Sequence, residues 1–222
     1  MNASRAPWPP EIALHGKHAS LVPLSQSHGK ALEVAVTDGE RWKLWYNRVP
    51  APSEMVADID RRLALRAEGS MSPFTVIDRM SGQPVGMTTY MHIDPLAPRM
   101  EIGSTWYRGS VQRGPINTEC KLMLLTHAFE TLDCIAIEFR THIFNTPSRR
   151  AIERLGAKLD GILRCHTRSR DGNLRDTCVY SIVVAEWPTV RAHLQRQMEK
   201  PRPKAEEGIA TGIAPGDAQV LR

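Results

Sequence analysis

The chain has 222 residues, of which 41% are hydrophobic and 24% are charged, and its formal net charge is +5 at pH 7. This length suits one well-buried domain or two small ones, and no apolar run reaches the roughly 18 residues that a transmembrane helix needs. Residues 1–18 lack a continuous apolar segment, which argues against a secretory signal and predicts a cytoplasmic protein.

The four cysteines, Cys120, Cys134, Cys165 and Cys178, lie far apart and form no CxxC pair. This spacing argues against a zinc cage or a disulfide framework, so we expect free thiols and no bound metal. The positive charge is local, because nine lysines or arginines face three acidic residues between positions 140 and 175. Such a segment is typical of a nucleic-acid surface or of a site for one phosphate-rich small ligand.

The first half of the chain predicts two helices and four strands. A strand is expected over residues 19–25, a helix over 25–35 and a proline-broken aromatic loop over 41–53. Apolar residues at helical spacing predict a helix over 53–66, with Ser53 as its N-cap and Gly69 just past its end. Residues 73–79 and 84–93 predict a hairpin, and residues 99–107 a further strand.

The second half predicts a crossover followed by a long hairpin. The elements are a helix from about 115 to 132, a strand over 134–143, a helix over 146–156 that ends at Gly156, a hairpin over 157–184 around Asp171 and Gly172, and a last helix near Glu186. This order predicts a mixed α/β sheet with helices on its faces. We expect a flexible lead-in over 1–11, a single domain over 12–198 and a disordered tail over 199–222.

The stretch SVQRGPINTECKLMLL, residues 110–125, follows a predicted strand and opens a helix. The first-turn N–H groups of a helix lack partners within the helix, and the helix dipole favours negative charge there. Gly114 permits close approach of the backbone, and Arg108 and Arg113 can donate charged hydrogen bonds. The stretch therefore predicts either an anion-binding loop or only a well-formed helix start.

Four segments together resemble the GNAT acetyltransferases, in particular the branch that acetylates the N-termini of ribosomal proteins. They are EIGSTWY at 101–107, QRGPINTECKLMLLTHAFE at 112–130, FRTHIFNTPSRRAIERLGAKLDGILR at 139–164 and DGNLRDTCVYSIVVAEWP at 171–188. The resemblance spans about residues 12–195. It implies a GNAT-like fold, with a central twisted, mostly antiparallel sheet flanked by helices, and it implies acetyl-CoA as co-substrate.

The resemblance places the family's phosphate loop, Q/R-x-x-G-x-G/A, on residues 112–117. Pro115 stands where the first patterned glycine is expected, and Asn117 where Gly or Ala is expected. Proline donates no N–H, so we expect this loop to lack one of the usual contacts to the pyrophosphate. The residues implied to bind this part of acetyl-CoA are Gln112, Arg113, Gly114, Ile116, Asn117 and Thr118, together with Arg149.

The resemblance also assigns the pantetheine arm. In the family, the strand before the phosphate loop splays from its neighbour and pairs with the pantetheine amides, a role that falls here to Thr105, Trp106 and Tyr107. Asn145 matches an asparagine that contacts the arm. Ser148 matches a serine that lies near the thioester sulfur in the ribosomal branch.

Acetyl transfer to an amine needs a proton acceptor and a proton donor. Glu101 is the best-placed carboxylate for a water-mediated proton, and its alternative role is a solvated or arginine-paired strand carboxylate. Ser148 is the candidate general acid, with helix N-capping as the alternative. The predicted helix over 146–156 lacks the tyrosine that many acetyltransferases place there, which leaves Ser148 or water as the nearby donors.

Other residues are open to two interpretations. The loop that contains Trp42, Trp45 and Tyr46 either selects the acceptor, as such a loop usually does in this fold, or packs like any aromatic loop. His127 and His142 are expected to be packed or surface histidines.

Asp176 lies in the last hairpin. It is expected to form an ion pair with Arg175 or Arg164, and a substrate-side role is the alternative. His166 in the same hairpin is expected at the surface, with the amine pocket as the alternative.

Two functions remain open at this stage. The first is an acetyl-CoA-dependent N-acetyltransferase that moves an acetyl group to a primary amine, on a protein N-terminus or a small molecule, by direct attack on the thioester. The second is a catalytically inactive protein of the same fold that binds RNA or a ribosomal surface through Arg149, Arg150, Arg164, Arg168, Arg170 and Arg175. Residues 149–175 lack interleaved aromatic side chains for base stacking, so a nucleic-acid partner is not expected. No membrane partner is expected either, and a homodimer is compatible with both functions.

Overall fold

One sheet of eight strands organises residues 8–200, the part of the chain that the computed structural model describes. The strands are β1 (Leu14–His15), β2 (Ala19–Pro23), β3 (Met71–Asp78), β4 (Pro84–Asp94), β5 (Arg99–Tyr107), β6 (Ala136–His142), β7 (Lys158–Arg168) and β8 (Leu174–Val183). The α-helices of the same range are α1 (Gly29–Thr37), α2 (Met55–Ala67), α3 (Ile116–Glu130), α4 (Thr146–Glu153) and α5 (Trp187–Glu199). The predicted mixed α/β architecture is confirmed.

The strand order in the sheet is β1-β2-β3-β4-β5-β6-β8-β7. Neighbouring strands are antiparallel except for β5 and β6, which pair in parallel. This exception follows from the connection, because a parallel neighbour needs a crossover and α3 supplies it. The phosphate loop predicted from the sequence therefore lies between β5 and α3, at the one parallel step among the described strands.

The two faces of the sheet are covered by different helices. Tyr90, Met100 and Ile102 join the core cluster that contains the apolar residues of α3 and α5. Met87 and Trp106 join a second cluster with residues of α1 and α2. Because side chains alternate along a strand, Glu101 points to the α1 and α2 face, opposite its neighbours Met100 and Ile102.

Most element boundaries agree with the predictions to within a few residues, and β5 agrees at both ends. The two-residue strand β1 was not predicted, because Leu14 pairs with Leu21 over a segment too short to show a period. Ser53 is not the N-cap of α2: a 3-10 turn over Pro52–Glu54 precedes the helix, and its carboxylate at Glu54 accepts the N–H of Ala51 at 2.9 Å.

The predicted lead-in over 1–11 and tail over 199–222 lie mostly outside the described residues, and their disorder stays a prediction. Within the described range, Trp8 packs against the main core, and α5 continues to Glu199. No helix in residues 8–200 is long and apolar enough to cross a bilayer.

Candidate active site

The strands β5 and β6 separate in the middle of the sheet. Their parallel pairing runs from Arg99 with Ala136 to Glu101 with Glu138 and ends there. β5 continues against β4 as far as Tyr107, so the other edge of residues 102–107 has no strand partner among the described residues. Backbone groups on such an edge can pair with an extended ligand. The strand separation expected at Thr105, Trp106 and Tyr107 is present.

A bulge in β5 marks the beginning of the separated segment. Ser104 has a positive φ of 47°, and the register with β4 shifts between Met87 and Thr89. Arg62 of α2 holds the bulge from the α1 and α2 face, where it donates to Thr89 Oγ1 at 2.8 Å and approaches Ser104 O at 3.5 Å. Bulges re-aim the side chains that follow them, and here Thr105 turns toward α3.

The loop between β5 and α3 presents free backbone N–H groups. Those of Ile116, Asn117 and Thr118 have no acceptor within residues 8–200, as the first turn of a helix predicts. Pro115 is the N-cap residue, and its carbonyl accepts the N–H of Glu119 at 3.0 Å. The proline therefore removes one donor from the loop, and the helix dipole and the three N–H groups that follow it remain.

Residues 112–114 shape this loop from within. Gln112 Nε2 donates to Tyr107 O at 3.0 Å, and Gly114 N–H donates to Val111 O at 3.3 Å. A Cβ at Gly114 would lie 2.9 Å from that carbonyl oxygen, so a larger residue would disturb the turn. Arg113 adopts a positive φ of 62° and is exposed, and its guanidinium makes no hydrogen bond or ion pair with another described residue.

A cleft of about 780 Å³ opens beside the loop, on the side of the β1–β2 turn. Lys17, His18 and Arg79 line it together with residues 110–111 and 114–116. It contains neither Glu101 nor Ser148. Its basic lining adds to the positive potential around the free N–H groups of α3.

Glu101 is buried, with 4% of its surface exposed, and the side chains of a histidine and an arginine contact one of its oxygens. Glu101 Oε2 accepts from His92 Nδ1 at 2.8 Å and lies 3.6 Å from Arg140 Nε. The hydrogen bond to Glu101 raises the pKa of His92, against the smaller effect of burial. Oε1 has no hydrogen-bond partner among the described residues and lies over Gly103, where a Cβ would come within 2.5 Å of it. Glu101 is thus arginine-paired and not solvated, with one oxygen left to take a proton.

Asn145 and Ser148 open helix α4. Asn145 is the N-cap, because its Oδ1 accepts the N–H of Ser148 at 3.2 Å, and its Nδ2 donates to Asn47 Oδ1 at 3.3 Å. The alternative that Ser148 caps the helix is therefore wrong. The Ser148 hydroxyl makes no hydrogen bond to another described residue, so it is free to donate a proton.

The comparisons with known proteins agree with this geometry. A family model described as an acetyltransferase (GNAT) domain matches residues 19–158. The chain belongs to the GNAT acetyltransferases. The predicted family and the predicted enzyme class, an acyltransferase, are both confirmed, and enzymes of this family take the acetyl group from acetyl-CoA.

Individual relatives of this GNAT domain are similar over most of its length. The uncharacterized N-acetyltransferase p20 of Bacillus licheniformis is 27% identical over 123 residues, which cover 55% of this chain and 68% of that protein. A GCN5-related N-acetyltransferase from Brucella melitensis is 30% identical with a TM-score of 0.78, over 89% of this chain and 90% of that one. RimJ of Mycobacterium smegmatis, solved with CoA-disulfide, shares the fold at 22% identity and a TM-score of 0.69, over 81% and 88% of the two chains.

Lys121 of the GNAT domain was not among the predicted site residues. It is 6% exposed and lies beneath β5, where its Nζ donates to Thr105 Oγ1 at 3.0 Å and to Thr88 Oγ1 at 3.2 Å. Burial lowers the pKa of Lys121 to about 8, and no carboxylate of the described residues forms an ion pair with it. The signal was in the sequence, because Lys121 lies one helical turn before Leu124 and Leu125 on the apolar face of α3.

His142 is also more than a packed histidine. It is 2% exposed, and its Nδ1 accepts the N–H of Phe144 at 3.1 Å, so the neutral ring carries its proton on Nε2. Nε2 is buried and has no hydrogen-bond partner in the described part of the chain. The Trp45 ring lies 5.0 Å from the His142 ring, and the Phe144 ring lies 5.7 Å from it. The aromatic loop therefore covers the end of β6, next to the strand separation.

Arg149 and Tyr90 both make contacts within the fold, and the contact of Arg149 with the cofactor stays a prediction. Arg149 Nε donates to Tyr180 OH at 3.0 Å, and its NH1 donates to Ile143 O at 3.4 Å, which ties α4 to the sheet. Tyr90 is fully buried and donates to Leu124 O at 2.6 Å.

The ion pair expected for Asp176 is wrong. Asp176 Oδ1 accepts the backbone N–H of Cys165 at 2.8 Å, and neither Arg175 nor Arg164 forms an ion pair with it. The carboxylate therefore bridges the hairpin of β7 and β8 locally. His166 is exposed on the same hairpin, as expected.

Proposed function

We propose that this GNAT domain transfers the acetyl group of acetyl-CoA to a primary amine, on a protein N-terminus or a small molecule. The separation of β5 from β6 carries the proposal, because it opens the sheet between the free N–H groups of α3 and the carboxylate of Glu101. An extended thioester with a diphosphate at one end fits such an opening. The fold shared with RimJ supports the same class of donor substrate.

In this proposal the chain holds acetyl-CoA through backbone groups. The N–H groups of Ile116, Asn117 and Thr118 bind the pyrophosphate, and the positive charge of Arg113 adds to them. The unpaired edge of residues 105–107 pairs with the pantetheine amides, beside Asn145. When bound, acetyl-CoA supplies an activated acyl group with a thiolate as the leaving group.

Proton transfer is assigned to two side chains. Glu101 accepts a proton from the amine, directly or through one water, and its unpaired Oε1 is the atom that does so. The neutral nitrogen then forms the bond to the acetyl carbon as the C–S bond breaks, and it loses a second proton to solvent water. The sulfur gains a proton from the Ser148 hydroxyl, which takes one back from water, so the one proton released overall is the one that Glu101 accepted.

The alternative of an inactive binding protein depended on Pro115. The structure lessens its weight, because Pro115 leaves the N–H groups of the next three residues without partners in the described chain. No other feature of residues 8–200 favours loss of turnover.

The phosphate contact is tested by a pair of variants at Asn117. Proline is tolerated in the first turn of a helix, so Asn117→Pro removes one N–H with little disturbance, whereas Asn117→Ala keeps it. A hydrogen bond to a charged group contributes about 1.5–3 kcal/mol, so the proline variant should bind acetyl-CoA more than tenfold more weakly than the alanine variant. Calorimetric titration measures both, and free-thiol release with an amine panel measures turnover. Absence of acetyl-CoA binding at millimolar concentration to the unmodified chain would overturn the proposal.

A further inference from the structure

Two arginines at the hairpin of β7 and β8, one in it and one bonded to it, have no acidic partner among residues 8–200. Arg175 of β8 is half-buried, and its Nε is shielded from solvent without a hydrogen-bond acceptor. Arg48, in the aromatic loop, donates only to uncharged oxygens, Thr167 Oγ1 and Arg168 O, each at 3.3 Å. Neither arginine forms an ion pair with any carboxylate of residues 8–200.

The strand register brings the two guanidinium groups to one corner. Thr167, which accepts from Arg48, is the direct strand partner of Arg175. Burial lowers the pKa of Arg175, the positive charge of Arg48 lowers it further, and the negative charge of Glu101 opposes both effects. Arg175 therefore lies within electrostatic range of the carboxylate that the proposed function uses as its base.

Besides Arg175 Nε, this corner holds a second buried donor without an acceptor, on His142. Thr177, two residues beyond Arg175, is the strand partner of His142, so Arg175, Thr177 and His142 lie on the same face of the sheet. The Nε2–H of His142 has no acceptor among residues 8–200, and the exposed rings of Trp45 and Phe144 flank it. Buried donors without acceptors are costly, and native structures rarely keep several together unless a ligand completes them.

We propose that Arg48 and Arg175 bind an anionic group, a carboxylate or a phosphate, on the acceptor, so that the acceptor is an amine that also carries an acid. This inference rests on the proposed function, because it places the amine at Glu101 and the anion at the arginines. The protein's own acids do not fill the position, since Glu101 is already shared by His92 and Arg140. A planar guanidinium fork suits either anion through paired hydrogen bonds.

The proposal predicts discrimination between amines that differ only by an acid group. A simple amine would leave both guanidinium groups unpaired, whereas an amino acid would pair them. The probes are matched: glycine with methylamine, β-alanine with ethylamine, L-phenylalanine with phenethylamine, and O-phosphoethanolamine with ethanolamine. The first three pairs report a carboxylate, and the last reports a phosphate.

The experiment is calorimetric binding of each probe to the full chain in the presence of CoA, which needs no turnover. At least one acid-bearing amine should bind tenfold or more tightly than its matched simple amine. Arg175→Gln and Arg48→Gln should each remove most of that difference, and Arg175→Lys should restore only part of it. Arg196→Gln, an exposed residue of α5, is the matched control for the lost charge and should change nothing.

Each outcome decides the question. If acid-bearing amines bind more tightly than simple amines and the arginine variants abolish this difference, the anion site is supported. This holds even if no acetyl product forms, in which case only the proposed acetyl transfer fails. Equal binding of acid-bearing and simple amines, no binding by any acid-bearing probe, or discrimination unchanged in both arginine variants would overturn it. Arg48 lies in a loop, so Arg48→Gln remains informative even if Arg175→Gln fails to fold.

Discussion

At the scale of single residues, Glu101 combines burial with one oxygen that has no partner among the described residues. Its other oxygen is shared between His92 and Arg140, which keeps the carboxylate oriented. This arrangement supports the proposal that Glu101 accepts a proton and does not only neutralise an arginine. The distinction can be measured.

Glu101→Gln should lower turnover by about 10²–10⁴-fold near pH 7, and the loss should shrink as the pH approaches the pKa of the amine, because free amine then needs no base. Loss of the hydrogen bond should also lower the pKa of His92, which NMR titration of its ring can follow. Glu138→Gln is the matched control, because Glu138 lies opposite Glu101 on β6 and pairs with Arg99 and Arg140. Full turnover of Glu101→Gln at pH 7 would make Glu101 a structural residue.

Lys121 links a single buried charge to the stability of the whole domain. Its pKa is lowered to about 8 in the folded chain, so between pH 8 and the ordinary value of 10.5 the unfolded chain binds more protons. Stability contributed by Lys121 therefore rises with pH across that window. Burial raises the pKa of its neighbour Cys120 from 9.0 to about 12, which acts in the opposite direction above pH 9.

The effect of Lys121 on stability can consequently be measured with little contribution from Cys120 between pH 7 and pH 9. There, the unfolding free energy of the unmodified chain, relative to Lys121→Met, should rise by about 1 kcal/mol. Urea unfolding at the two pH values measures the difference, and Lys30→Met, on an exposed position of α1, controls for the loss of a lysine. A difference that is flat or falls with pH would show that Lys121 is not buried in the folded chain.

At the scale of elements, the start of α4 places a structural residue close to the proposed proton donor. Asn145 caps the helix, whereas the Ser148 hydroxyl makes no bond to a described residue. The two side chains lie within one helical turn, so their roles are easily confused from sequence alone. Alanine variants distinguish them.

Asn145→Ala should lower the unfolding free energy by about 1 kcal/mol through the lost cap. Ser148→Ala should leave stability almost unchanged but lower turnover about tenfold, or about 1.4 kcal/mol, without recovery at high pH. Thermal unfolding and thiol-release kinetics on both variants provide the test. A stability loss at Ser148→Ala with full turnover would reverse the assignment.

At the scale of the whole molecule, Glu119 joins α3 to the first hairpin. Its carboxylate accepts the N–H groups of Lys17, His18 and Ala19, each at 2.7 Å. Gly16 makes room for it, because a Cβ there would lie 2.4 Å from the carboxylate carbon. This contact fixes the N-terminal strands against the helix that carries the phosphate loop.

Glu119→Ala should lower the unfolding free energy by about 3 kcal/mol, because it removes the charged acceptor from three backbone donors, of which that of Ala19 is buried. Glu119→Gln keeps one acceptor oxygen and should cost less, about 2 kcal/mol. Urea denaturation at constant pH ranks the two variants. A cost below 1 kcal/mol for the alanine variant would mean that water replaces the carboxylate at no penalty.

The fold was largely predictable, because strand and helix periods and turn residues are local signals. The hairpin of β3 and β4, the limits of β5 and the glycine after α4 all follow from such patterns. The wrong predictions concern a very short strand and the start of a helix. Strand β1 has only two residues, and a 3-10 turn separates Ser53 from the start of α2.

The sequence by itself determined the family, the order of the elements and the position of the loop predicted to bind phosphate, because these depend on contiguous residues. Only the tertiary structure decided which polar side chains meet. Arg48 and Arg175 share a corner through the register of β7 with β8, and Lys121 lies under Thr105 because a bulge at Ser104 turns β5. Register and bulges arise from the packing of distant segments, which no local pattern records.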